Sequence, residues 1–99
     1  MLAIVQLVYL HPGQERVFDE FEALALALLA KHGGELLLRL RPAERDVIAR
    51  SIELPYEIHI VRFPSNEAFA QFAADDDRQR FLHLKSASVR SELVIRGAV

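Results

Sequence analysis

From Leu2 to Leu10 the chain is almost continuously apolar and rich in branched side chains, until His11-Pro12-Gly13 ends the run. That composition and that stop predict a first strand over 2–10. The period then changes. Between Pro12 and His32, Val17, Phe21, Leu24 and Leu28 recur three or four apart with Phe18, Ala25 and Leu29 beside them, which predicts an amphipathic helix. Pro12 suits its first turn and Glu15 its positive end. Lys31 and His32 suit its negative end, and Gly33 can adopt the left-handed conformation that closes it.

"ELLLRLR" (35–41), stopped by Pro42, predicts a second strand, and "YEIHIVRF" (56–63) a third. Residues 43–54 fit a strand extension, a hairpin arm or one helical turn equally well. Ser65 is placed to cap a helix carrying Phe69, Phe72 and Ala73, and Asp76 or Asp77 to cap a further helical stretch. "SELVIRGA" (91–98) predicts the last strand. The order strand-helix-strand-strand-helix-strand predicts an α+β, ferredoxin-like domain spanning 1–99. Its antiparallel sheet would have strand order 4-1-3-2 and helices on one face.

Alternation divides the strand residues between the two faces of such a sheet. Val5, Leu7, Tyr9, Leu36, Leu38, Leu40, Ile58, Ile60, Leu93 and Ile95 form an almost wholly apolar set, expected beneath the helices. The other set is mixed: Ile4, Gln6 and Val8, then Leu37, Arg39 and Arg41, then Glu57, His59 and Val61, then Glu92, Val94 and Arg96. Facing water, the apolar members of this set would make a patch that monomers seldom expose. The expectation is therefore a homodimer stacked through the open, mixed face.

Composition narrows the function classes. A chain 52% hydrophobic is globular in type. Twelve basic residues against fourteen acidic offer no basic stripe for nucleic acid. With no cysteine there is no thiolate chemistry. "ALALALLA" is too short to span a bilayer, and the N-terminal stretch does not read as a signal peptide, so the expected location is cytoplasmic, away from membranes.

The candidate chemistry lies on the mixed face. His59 is the candidate acid/base, since imidazole is the side chain suited to shuttling protons. Gln6, Arg39 and Glu57 are candidate substrate-binding residues, with Gln6 and His59 as possible neighbours and Arg39–Glu57 as a cross-strand ion pair. The competing assignment makes the same residues a satisfied structural network. Arg62, of opposite parity, is expected to reach towards one of Asp75 to Asp77. Those three aspartates read as a solvated helix cap, and Gly33-Gly34 follows a helix instead of opening one, so neither a metal site nor a phosphate loop is expected.

"KHGGELLLR" (31–39), "VRFPSNEAFAQF" (61–72) and "FLHLKSASVRSELVIRGAV" (81–99) resemble the DUF1330 family of the dimeric α/β-barrel superfamily, in order and spacing over most of the chain. The resemblance implies a homodimer and a small-molecule pocket without a bound cofactor, and no defined reaction. It departs from the family at Arg62, where many relatives are acidic, at Phe72, where they carry tryptophan or another large aromatic, and in "AADDDRQR", which lacks their tyrosine. Related branches include cofactor-free monooxygenases, haem-degrading monooxygenases and lactone isomerases. The haem branch relies on an asparagine, a tryptophan and a histidine, whereas this chain has no tryptophan and a single asparagine, Asn66. Two functions stay open: a cofactor-independent enzyme acting on a small aromatic or carbonyl-bearing substrate, and a non-catalytic ligand-binding or dimer-scaffold domain.

Overall fold

A computed structural model describes residues 1–98. Strand β1 (Leu2–Leu10) leads through a Pro12-Gly13 turn into helix α1 (Glu15–Leu29), which tightens into a 3-10 turn over Ala30–His32. Strands β2 (Glu35–Leu40) and β3 (Glu57–Phe63) follow, then helices α2 (Asn66–Ala74) and α3 (Asp76–Ser88), and strand β4 (Val89–Ala98) ends the description. The sheet is antiparallel throughout, with order β2-β3-β1-β4, the expected order read from the other edge. Residues 43–54 contain one 3-10 turn, Glu44–Asp46, and otherwise form an irregular connection.

Local chemistry accounts for the boundaries. Ser65 Oγ accepts from Ala68 N at 3.1 Å and opens α2. Asp75, rather than Asp76 or Asp77, opens α3, its Oδ1 accepting from Asp77 N. That carboxylate also meets Lys31 Nζ at 2.8 Å and His32 Nε2 at 2.7 Å, tying the end of α1 to the start of α3. Gly33 closes the 3-10 turn at φ +71°, and a Cβ there would lie 2.8 Å from Pro64 Cγ.

The two faces of the sheet are the reverse of the expectation. The mixed set lies beneath the helices: Ile4, Val8, Glu57 and His59 are buried, against Phe18, Phe21, Ala25 and Leu29 of α1. The uniformly apolar set is the open one, with Leu38, Leu40, Leu93 and Ile95 exposed. Helix α1 turns its Phe18-Phe21-Glu22-Ala25-Leu29 stripe inward and leaves Leu24 in solvent. A carboxylate in that stripe needs polar partners opposite, and only the mixed face supplies them. Inversion also moves Arg62. It lies on the open side and pairs with Glu35, Nη2 to Oε2 at 2.6 Å, instead of reaching the aspartates. A register shift at Leu36–Leu38 changes the parity of β2, so that Leu36 faces Val61 while Arg39 pairs with His59.

The helix-side core has two apolar clusters. Leu2, Ile4, Leu29 and Phe63 pack with Phe69 and Phe72 at one end. Val8, Phe18, Phe21 and Ala25 pack with Tyr56 and Phe81 at the other. Between them lies the polar middle of the sheet.

Candidate functional site

The centre of β3 places Glu57 and His59 two residues apart, so both side chains leave the same face of the sheet. Helix α1 lowers Glu22 onto them. All three are buried, at 0%, 3% and 5% exposure. His59 Nε2 contacts Glu57 Oε2 and lies 3.5 Å from Glu22 Oε2, while the imidazole lies parallel to the Phe18 ring, 6.5 Å away. Arg41 Nε donates to Glu57 Oε1 at 3.0 Å, Arg39 Nε sits 3.0 Å from the same oxygen, and Asp19 faces both guanidinium groups from α1.

These contacts set the protonation pattern. Burial alone would push the Glu57 carboxyl up; the hydrogen bonds from His59, Arg39 and Arg41 outweigh it and hold the group down to about 2. Glu57 is therefore an anion, and His59 Nε2 must carry the hydrogen it presents to Glu57. Glu22 has no such set of donors. Burial raises its affinity for a proton, the charge on Glu57 raises it further, and His59 only partly offsets both. Two neighbouring carboxylates are thus driven apart, one fixed as an anion and one inclined to hold a proton, which is the arrangement that assigns acid and base roles in enzyme sites.

Beside this cluster, between the two apolar clusters, is a cavity of 130 Å³. Its apolar wall comes from side chains such as Phe21, Phe63, Phe69 and Phe72, and its polar wall from Gln6, Glu22, His59, Arg78, Lys85 and Glu92. Gln6 faces His59 across the β1–β3 register and donates to Glu92 Oε2. Glu92 accepts from Lys85 Nζ at 2.9 Å through its other oxygen.

Of the residues singled out in the sequence, His59 and Gln6 reach the cavity. Arg39 and Glu57 are not on its wall and stand behind it, against His59. Sequence reasoning missed Glu22, Arg78 and Lys85. Glu22 was detectable as a carboxylate inside the inward stripe of α1. Arg78 carried no signal, because α3 has no clear apolar stripe, whereas Lys85 lies in the stretch 81–99 that carries the family resemblance. Glu22, Glu57 and His59 each offer a donor atom, all within 4.8 Å of one another, the only such set among the described residues. A cation there would compete with two arginines for Glu57.

A four-stranded antiparallel sheet of order β2-β3-β1-β4 with its helices on one face defines a ferredoxin-like α+β domain. The family described as "Domain of unknown function (DUF1330)" matches residues 4–98, and the chain belongs to that family. Similar solved structures include a protein of unknown function from Rhodopseudomonas palustris, at 17% identity and TM-score 0.82, over 97% of this chain and 79% of that one. A Dabb-family protein with a ferredoxin-like fold from Mesorhizobium loti is 17% identical, with TM-score 0.68, over 99% and 95%. A putative antibiotic biosynthesis monooxygenase from Nitrosomonas europaea is 7% identical, with TM-score 0.75, over 100% and 98%. At these identities the likeness is one of fold. No curated protein matches the chain.

Proposed function

We propose that this protein is a homodimeric, small-molecule-binding domain whose cavity performs cofactor-independent acid–base chemistry on a small aromatic or carbonyl-bearing substrate. The observation that carries the reading is the pair Glu22 and His59 on the wall of the cavity, a carboxyl inclined to hold a proton next to an imidazole whose Nε2–H is fixed by Glu57. Removal of a proton beside a carbonyl is the first step of both isomerisation and cofactor-free oxygenation, and an imidazole beside a carboxyl group is a pair able to accept and return that proton. The fold shared with a putative monooxygenase is consistent with this chemistry.

Native mass spectrometry of the purified protein tests the binding. The expected spectrum is a dimer carrying a small-molecule adduct that Ala25→Leu, which fills the cavity, removes without loss of stability. A dimer whose adducts are unaffected by filling the cavity would overturn the site.

One observation favours the alternative, non-catalytic assignment. Glu57 occupies His59 Nε2 and is itself held by two arginines, as in a structural network. His59→Gln separates the two. Lost turnover with retained ligand binding indicates catalysis, and lowered stability with unchanged binding indicates the scaffold.

A further inference from the structure

Arg78 differs from the other cations on the cavity wall and behind it. Lys85 is paired with Glu92, and Arg39 and Arg41 with Glu57. Arg78 is in no ion pair among the described residues. Its guanidinium lies over the Phe72 ring at 5.4 Å, and Nη1 donates to Ala73 O at 3.3 Å. Its Nε is buried without a hydrogen-bond partner, the one such side-chain atom among the described residues. A donor of a cationic group left unmade in the interior is costly, and the residue lines the cavity wall. Burial pulls its proton affinity down, with Glu92 and Glu22 offsetting that from a distance, so the cation is short of negative charge.

The size and walls of the cavity restrict what can supply that charge. An apolar cavity of about 150 Å³ holds one benzene ring, and this one measures 130 Å³ between phenylalanine side chains. Glu22 and Glu92 on the same walls disfavour a dianion such as a phosphate monoester. A carboxylate matches guanidinium geometry and brings one charge. We infer that the cavity takes an organic monoanion of about one ring in size, a carboxylate, paired with the Arg78 guanidinium and with its apolar body among the phenylalanines. This rests on the reading of the cavity as a ligand site and adds the class of ligand and its anchor. Glu22 and His59 then face the body of the molecule, leaving the carboxylate as a handle.

Isothermal titration of the full chain with benzoate and with benzamide, its uncharged isostere, tests the inference. Benzoate is expected to bind at least tenfold more tightly, with the preference gone in Arg78→Met and largely kept in Arg78→Lys. If both ligands bind equally to the unaltered protein, the cavity remains a ligand site and the anionic class is wrong. If neither binds, the inference falls, and the Ala25→Leu adduct comparison decides separately whether the cavity is a site at all. The preference in the unaltered protein decides the matter even if Arg78→Met fails to fold.

Discussion

Glu22 and Glu57 lie on the same buried network and respond oppositely to pH. Glu57 titrates at about 2 in the folded chain against 4.5 for the ordinary group, so its contribution to stability is complete above about pH 4.5 and is lost as pH falls towards 2. Glu22 is raised from 4.5, so the folded state binds the extra proton and stability declines as pH rises from 4.5 through its folded pKa. Glu22→Gln keeps the shape and removes the charge. It should raise the melting temperature at pH 7, where burial penalises the anion, and leave it nearly unchanged at pH 4, where the native carboxyl already carries its proton. A thermal melt at the two pH values is sufficient, and an equal effect at both would show that burial does not govern this group. Glu57→Gln should behave oppositely and lower stability by about 3 kcal/mol at pH 7, because it leaves Arg39, Arg41 and His59 without their anion. Urea titration would measure it. If the site is catalytic, the stabilised Glu22→Gln protein should be inactive, the usual relation between a strained functional group and stability.

The elements are held by a few close approaches that the sequence made visible to different degrees. Gly33 is the clearest: it stands at positive φ against Pro64, so Gly33→Ala should cost about 1–2 kcal/mol from backbone conformation, with the added contact to Pro64 on top. Chemical denaturation would show it, and a neutral result would mean that the turn before β2 re-forms elsewhere. Strand order, the Ser65 cap and the left-handed Gly33 were all legible, because each depends on a local residue type or on the order of periodic segments. The assignment of the sheet faces was not. Ranking faces by apolar content assumes that the helices take the more apolar one, whereas here they cover His59 and Glu92, which meet Glu22 of α1 and Lys85 of α3. Reading Glu22 as part of the inward stripe of α1 would have reversed the assignment. The parity of β2 was hidden for another reason: the irregularity at Leu36–Leu38 inserts a residue, which alternation alone cannot reveal.

The whole molecule is a slab, thin in one direction. Its extents are 36 × 30 × 17 Å, with a radius of gyration of 13.8 Å, where roughly 12.6 Å is typical of a chain this long. The surface is 6166 Å², about 500 Å² more than a monomer of this mass usually exposes. The surplus belongs to a single layer of helices on a sheet whose other face is bare. That face carries Val5 and Leu7, Ile58 and Ile60, Leu38 and Leu40, and Leu93 and Ile95, with the Glu35–Arg62 pair at its margin. A face with almost no charge and apolar side chains on every strand suits a second copy of itself related by a two-fold axis, and two such slabs back to back would be about as thick as they are wide. A dimer through this face would bury no histidine, keep its one glutamate at the margin beside Arg62, and leave each cavity on the outer, helical side of its own subunit. Ile60→Lys, at the centre of β3, should therefore give a monomer by sedimentation velocity while leaving the helix-side cavity able to bind its ligand. If the variant stays a dimer, the two-fold lies elsewhere. If it becomes a monomer that no longer binds, the cavity depends on the partner, and the two sites are coupled through the sheet.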